Sequence, residues 1–488
     1  MRRFNYRFVL GGISLVLIIE SFFMLLAGLA GLAYREDVAN SIFISALITL
    51  LSGLLFLLLG RKRKIHNLNI TKREVYITVT MTWIMLSLFG TLPYIISDSI
   101  PSFTNAFFES ICGFTTTGSS TLINIEAFPK SLHIWRSITQ WIGGIGIIIF
   151  VISFIPVFGG LSGQFFDSEL TGIAEDVFRP RIMEVSKKMA LSYLLLTLAG
   201  FLLLWAGPMD AFEAICHSFT SISTGGFSTR QMSIASFNSP YIESIIILLM
   251  FFGGTNFLLI SAFLTKFSFS VFKNEEFRWY ISLILLFTIV ITVALLTTGQ
   301  MFNIGQTFRT ALFQVVAAIT TTGFATYNFI SWGPFYWILF LVMILFCGCE
   351  SSTSGGMKLS RLVVLSKNSL LVFKRQVHPD ALYMVKLNRK VISNESIAKV
   401  MAFFFLYLAV TLFSASVISL SGMTFDESIS VALSTISNYG YGLGSYGPIG
   451  TFESATVFTK YYLSFLMLVG RLEIFIVLSL FVPGFWKR

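Results

Sequence analysis

The sequence predicts an all-α integral membrane protein. Two N-terminal transmembrane helices precede four pseudo-symmetric units, each a helix, a re-entrant loop and a second helix, set around one axis. Three observations predict this. Hydrophobic residues make up 55% of the 488-residue chain, charged residues 12%, and the mean hydropathy is +0.80, so most of the chain belongs in lipid rather than in soluble domains. Four short stretches, Thr115–Gly118, Ser223–Gly226, Thr320–Gly323 and Ser437–Gly440, end alike in glycine and follow similar residues (Ala214–Ile222, Ala311–Ile319 and Ala432–Ile436). Finally, the basic residues behind the net charge of +10 recur between alternate apolar spans instead of forming one nucleic-acid-binding patch.

The first apolar run, Phe8–Ala33, follows Arg2, Arg3 and Arg7. It is too long for a signal peptide, is interrupted by Glu20 and lacks a small-x-small cleavage site, so it reads as a membrane helix. A second run, Ser41–Gly60, ends at Arg61-Lys62-Arg63-Lys64, with Lys72 and Arg73 beyond, which places that end on the cytoplasmic side.

From there one unit recurs. Val75–Ile96 is long enough to span, whereas Ser102–Phe114 is too short to cross at 1.5 Å per residue and reads as re-entrant. The glycine-ended loop and a full span, Ile134–Val157, complete the unit. The later copies are Ala190–Trp205, Met209–Ile222 and Tyr241–Leu264; Trp279–Thr298, Ile304–Ile319 and Trp337–Met357; and Ile397–Leu420, Phe425–Ile436 and Thr459–Val482. The corresponding domains are 1–70 for the helix pair, then 71–160, 161–268, 269–392 and 393–488. The third contains a polar loop and a basic cytoplasmic segment. The glycines lie 108, 97 and 117 residues apart, too far for a solenoid repeat. Each unit crosses twice, so all four share one orientation and bring their loops to one depth. Span parity then puts 27 of the 34 lysines and arginines, and both termini, in the cytoplasm.

Non-helical backbone inside a membrane must line a protein-enclosed or wet cavity. Four loops around an axis supply rings of carbonyl oxygens able to replace the hydration shell of a monovalent cation, which makes the axis a central ion pore. The expected metal-site residues are Thr116, Thr117, Gly118, Thr224, Gly225, Gly226, Thr321, Thr322, Gly323, Asn438, Tyr439 and Gly440. Glycine suits carbonyls that must turn inward, and the re-entrant helices aim their partially negative C-terminal ends at the same place. No carboxylate lies in the loops, which argues against a divalent ion. An ordinary helix-ending turn would explain one such stretch but not four in matching context.

Glycines also recur in the second spans, at Gly143-Gly144, Gly253-Gly254, Gly348 and Gly470, where close helix packing explains part of the pattern. The third second span carries Cys347, Gly348, Cys349, Glu350, Ser351, Ser352, Thr353, Ser354, Gly355 and Gly356, a run too polar for a lipid-facing helix. A loop below the filter that obstructs the pore is the preferred reading over a kinked helix. Arg471 lies in the fourth second span with Glu473 nearby; it is either salt-bridged for structure or placed to regulate cation passage.

Other chemistry is disfavoured. The four cysteines lie in or beside apolar stretches without zinc or disulfide spacing, and the four histidines form no cluster. Gly442–Gly447 resembles part of a dinucleotide motif but has neither the preceding strand nor the following helix. Gly355–Lys358 lacks phosphate-loop spacing, and no intramembrane His/Glu arrangement suggests a protease. No organic cofactor or enzyme activity is expected.

At Thr115–Gly118, Ser223–Thr229, Thr320–Thr326, Ser437–Leu443, Gln140–Gly146, Ser352–Lys358 and Gly470–Glu473 the chain resembles the Trk/Ktr/HKT superfamily of potassium transporters. The additional N-terminal helix pair and the length are closer to TrkH-type pore subunits than to shorter KtrB proteins. The resemblance implies K+ as the transported ion, bound in the filter, and a gate at Cys347–Gly356 with Arg471 on the pore side. It also implies a homodimer in the bacterial inner membrane and a cytosolic nucleotide-binding regulatory subunit of the TrkA type. A sodium-conducting, or sodium- or proton-coupled, transporter of the same architecture is the alternative; within the family, glycine rather than serine at position 118 argues against sodium. Tyr441 stands where the family often has proline, Tyr439 is bulkier than usual, and Glu350-Ser351 replaces a commonly small pair.

Overall fold

The computed structural model describes residues 4–60, 71–158, 182–266 and 269–486. Arg2, Arg3, the Arg61–Lys64 cluster, Arg179, Arg181, Lys487 and Arg488, which support the expected orientation, lie outside those residues. Among the described residues the only paired strands are Lys386–Leu387 and Lys390–Val391, an antiparallel hairpin; the remaining regular structure is helical.

Helices Tyr6–Ala33 and Ala39–Gly60 pack on each other, and the first also packs against Lys72–Phe89 and Lys130–Phe158. The first helices of the four units are Lys72–Phe89 continued by Leu92–Ile96, then Ile182–Trp205, Glu275–Thr297 and Asn394–Ser419. With the N-terminal pair, these make six helices among the described residues that are long and apolar enough to cross a membrane.

The four short helices are Phe103–Phe114, Ala211–Ile222, Ile304–Ile319 and Phe425–Ile436, of 12, 12, 16 and 12 residues. A 12-residue helix rises about 18 Å, well under the ~30 Å of a hydrocarbon core. Three begin at side-chain caps: Asp210, Asn303 and Thr424 accept from the backbone N–H of Glu213, Gln306 and Glu427. Their C-terminal turns are buried, as a helix pointing into the protein requires.

The second helices depart from expectation. Lys130–Phe158 is continuous, but the expected span Tyr241–Leu264 breaks after Gly253, bends by 105° and resumes at Phe257. The expected Trp337–Met357 stops at Leu345, and Thr459–Val482 stops at Arg471 and resumes as Ile474–Ser479 after Glu473, whose φ is +65°. The breaks persist because the freed backbone groups find partners in other units: the Gly254 carbonyl accepts from Cys349 N–H (2.9 Å) and Gly253 from Thr353 N–H (3.2 Å).

Packing closes the units into a ring. The second helix of unit one lies against the short helix of unit two, that of two against three, that of three against four, and that of four against one.

Candidate functional site

Each short helix ends in the same hydrogen-bonded turn. The N–H groups of Thr117, Gly225, Thr322 and Tyr439 reach back to the carbonyls of Cys112, Thr220, Ala317 and Ser434 at 2.8–2.9 Å. One residue earlier, Thr116, Thr224, Thr321 and Asn438 bond to Gly113, Ser221, Ala318 and Thr435. This is the Schellman helix end, whose left-handed residue is ordinarily glycine. Here it is threonine or asparagine, with φ of +53°, +51°, +55° and +54°. Such conformations cost about 1–3 kcal/mol each and persist only where their surroundings enforce them. Their recurrence at four equivalent positions marks a shared constraint from the surroundings.

Two residues on, the glycines also have positive φ: Gly118 +83°, Gly226 +81°, Gly323 +75° and Gly440 +99°. A Cβ on Gly118 would collide with the carbonyl oxygen of Gly225. One on Gly226 would meet that of Thr322, one on Gly323 that of Tyr439, and one on Gly440 that of Thr117. Each glycine therefore abuts the third residue of the next stretch, and the cycle closes from the fourth unit to the first. Neither the space nor the backbone conformation admits a side chain. Tyr439, despite its size, turns its carbonyl into this ring while its side chain is buried edge-on to Tyr441, with ring centroids 6.1 Å apart.

The ring is braced from behind. The hydroxyls of Thr115 and Thr117 are 2.8 Å apart and those of Thr320 and Thr322 are 2.7 Å apart. Asn438 Nδ2 donates to Thr117 Oγ1 and to the Met467 carbonyl, both at 3.0 Å. Gln140 donates to the Gly225 carbonyl (2.7 Å) and accepts from Phe227 N–H (3.1 Å). The residue nine positions before the glycine touches the residue two positions after it in three units. Glu109 accepts from Ser120 Oγ (3.0 Å), His217 bonds Ser228 Oγ (3.0 Å), and a Cβ on Gly442 would press on Val431 at 2.7 Å.

Glu109 is also fully buried in an ion pair with Arg136 (2.6 Å), whose guanidinium lies 4.0 Å from the Phe227 ring centroid. Sequence reasoning missed this pair. The available signal was a carboxylate inside a re-entrant helix, which requires a partner. Above the ring, Gly118, Gly226, Arg136 and Tyr441 share a cavity of about 30 Å³.

The polar run of unit three is a loop, not a kinked helix. Its ends meet where Phe346 bridges Met357, and Cys347 N–H donates to the Met357 carbonyl (3.1 Å). Between them the chain passes under the left-handed residues: Thr353 Oγ1 accepts from Thr224 Oγ1 (3.2 Å) and Gly355 N–H donates to Thr321 Oγ1 (2.8 Å). A Cβ on Gly355 would collide with the Ser437 carbonyl and come within 2.8 Å of Asn438. Thr353 Oγ1 also lies 2.9 Å from the carbonyl of Ile222 and 3.0 Å from that of Gly253. Ser351 holds φ at +54° and its carbonyl accepts from Phe257 N–H (3.1 Å), which seats the loop in the break of unit two's second helix.

Arg471 is 9% exposed and joins the loop to unit one, donating from Nη1 to the Thr353 carbonyl (2.8 Å) and from Nη2 to the Gly143 carbonyl (2.6 Å). Glu473 instead pairs with Arg361 (2.7 Å). Of the second-span glycines, Gly143, Gly253 and Gly470 abut equivalent carbonyls, those of Phe114, Ile222 and Ile436, each the last residue of a short helix. Gly348 departs from this pattern and rests near Ser354 and the Gly254 carbonyl, because its helix has already ended.

All twelve expected filter residues therefore meet at one ring, and the ten loop residues and Arg471 lie beneath it. Among the described residues no group of histidine, cysteine and carboxylate side chains is arranged to hold a metal ion. The sequence model of the TrkH family, described as cation transport proteins, matches residues 40–487. The Trk system potassium uptake protein TrkH of Escherichia coli K12 is 35% identical, with 99% of this chain and all of the relative covered. The TrkG protein of the same organism is 30% identical over 87% of each chain. A crystal structure of the potassium transporter TrkH from Vibrio parahaemolyticus superposes with a TM-score of 0.89 and 32% identity, covering 99% of this chain and all of that one.

Proposed function

The chain belongs to the TrkH family of cation transport proteins, and on that premise we propose that it takes up potassium through the ring of Gly118, Gly226, Gly323 and Gly440. The observation that carries this reading is the closed cycle of glycine-to-carbonyl contacts. In this reading the carbonyls of Thr117, Gly225, Thr322 and Tyr439 stand at one level, where they can replace water around a dehydrated cation. Four helix C-termini converge on that level, and their partial negative charge favours a cation. The neighbouring carboxylate, Glu109, is already neutralised by Arg136, which leaves the weak, multiple ligation suited to passage of a monovalent ion.

In this reading Cys347–Gly356 is the gate. It lies beneath three of the four helix ends, is tied to them by hydrogen bonds and is secured to the fourth unit by Arg471. The units divide at 71–160, 161–268, 269–392 and 393–488. The protein works as a homodimer in the bacterial inner membrane with both termini cytoplasmic, regulated by a TrkA-like nucleotide-binding subunit. The exposed basic residues Lys386, Arg389 and Lys390 supply a charge-complementary surface for an acidic partner.

The test is cation flux into liposomes containing the purified chain, under imposed potassium, sodium and proton gradients. Potassium influx that exceeds sodium influx and saturates with potassium supports the reading. Equal fluxes, or sodium preference, would replace it with a sodium-conducting transporter of the same architecture. Co-purification with a TrkA-like protein tests the partner, and full nucleotide control in its absence would remove it.

A further inference from the structure

Two adjacent carboxylates at the start of helix Glu275–Thr297 face two different partners. Glu276 is 4% exposed, and its Oε1 accepts the backbone N–H of Glu350, inside the loop beneath the ring, at 2.6 Å. Glu275 is turned to the cytoplasmic hairpin: its own N–H donates to Asn388 Oδ1 (2.7 Å) and its Oε2 accepts from Asn388 N–H (3.1 Å). Lys367 closes this side by pairing with Glu275 and donating from Nζ to the Lys386 carbonyl (2.6 Å).

The hairpin lies at the protein surface. Its two-residue turn, Asn388-Arg389, has positive φ at both positions, +49° and +68°, as the tightest hairpin turns require. Val385, Leu387 and Ile392 are buried, while Lys386, Asn388, Arg389 and Lys390 are exposed. The first helical turn cannot shift Glu275 without shifting Glu276, because consecutive residues share its backbone ladder.

We propose that Glu275 and Glu276 are positioning residues that couple the hairpin Lys386–Val391 to the gate. A partner that displaces the hairpin moves the helix start and, through Glu276, the Glu350 backbone. This inference rests on the gate reading of Cys347–Gly356 and names the route by which that gate is controlled.

The experiment is potassium flux by the full chain in liposomes. Glu276→Ala removes the acceptor of the Glu350 N–H and raises flux about tenfold, the scale of leaving one buried donor without its partner, with the potassium-to-sodium ratio unchanged. Glu276→Gln keeps an acceptor oxygen and stays within about twofold of the parent. Asn388→Ala, at the surface, raises flux in the parent but adds nothing in the Glu276→Ala background. Parent-level flux in Glu276→Ala, or an equal effect of Asn388→Ala in both backgrounds, overturns the coupling.

As a readout independent of folding in Glu276→Ala, the Asn388→Ala chain is labelled with a small thiol reagent. Cys349, fully buried in the loop, reacts faster if the coupling holds and at the parent rate if it does not. Deleting Gly348–Gly355 separates the two ideas. If that deletion raises flux while Glu276→Ala does not, the gate stands and the coupling falls; if the deletion leaves flux unchanged, the gate reading itself fails.

Discussion

The guanidinium of Arg471 meets the backbone carbonyl of Thr353 at 2.8 Å, and its other terminal nitrogen meets Gly143 at 2.6 Å. An arginine within a membrane protein is costly to bury and persists where it has partners to hold. Here it holds the loop of unit three against the second helix of unit one, across the axis from the loop's own helix. Both bonds engage carbonyls, so they fix the position of backbone. Arg471→Ala removes both and is expected to raise potassium flux tenfold or more, since each charge-assisted bond is worth about 1.5–3 kcal/mol. Flux at the parent level in a correctly inserted Arg471→Ala protein would show that the arginine braces the fold without closing the pore.

At the ring itself, Gly118→Ser places a Cβ against the Gly225 carbonyl and forces a non-glycine residue to φ +83°. The strain is about 1–3 kcal/mol, and it falls on the oxygen positions proposed to select the ion. The potassium-to-sodium flux ratio is expected to drop about tenfold for each 1.4 kcal/mol lost from the difference between the two ions. Gly226→Ser, whose Cβ meets the Thr322 carbonyl, provides an equivalent test one unit away. A ratio unchanged in both variants would remove the ring from selectivity.

The buried pair Glu109–Arg136 should be structural. Arg136→Leu leaves a carboxylate at 0% exposure with the Ser120 hydroxyl, the Thr121 N–H (2.9 Å) and the Thr121 hydroxyl (3.3 Å) as remaining partners. Breaking a buried pair from one side costs about 3–5 kcal/mol, so the midpoint of thermal unfolding in detergent should fall clearly. The double variant Glu109→Gln/Arg136→Leu removes the stranded charge and should recover part of that loss. If the double variant is no more stable than Arg136→Leu, the pair is not the element that holds the first short helix to its loop.

The short helices were legible in the sequence: Ile304–Ile319 and Phe425–Ile436 have the expected boundaries, and Phe103–Phe114 starts one residue late. Their ends are set locally, by the left-handed residue and the glycine after it, so a four-residue pattern suffices to place them. The second helices were less legible because their breaks are set at a distance. Gly253-Gly254-Thr255-Asn256 reads as a tolerable interruption in an apolar span until Cys349 and Thr353, about a hundred residues later, take its carbonyls. The loop could be located by its serines and glycines, but its bonds to Thr224, Thr321 and Arg471 join three units and have no sequence period. The Glu109–Arg136 pair was missed for the same reason, since its two residues belong to different helices.

The loop itself gives the sharpest test of the gate. Gly348–Gly355 supplies the hydroxyl of Thr353, which bonds the last carbonyl of one short helix, and the N–H of Gly355, which bonds the left-handed residue of another. Removing these residues takes away the proposed obstruction, but it also takes away braces on the ring at Thr224 and Thr321. The helix-end bonds within each unit and the contacts among the four glycines remain. Flux is therefore expected to rise at least severalfold, while the preference for potassium over sodium is retained, because the ring carbonyls are held by the Schellman turns and by Gln140 and Asn438. The measurement is paired potassium and sodium uptake into liposomes by the deletion variant and its parent. Raised flux with lost preference would mean that the loop builds the filter as well as closing it; parent-level flux would mean that the pore is closed elsewhere.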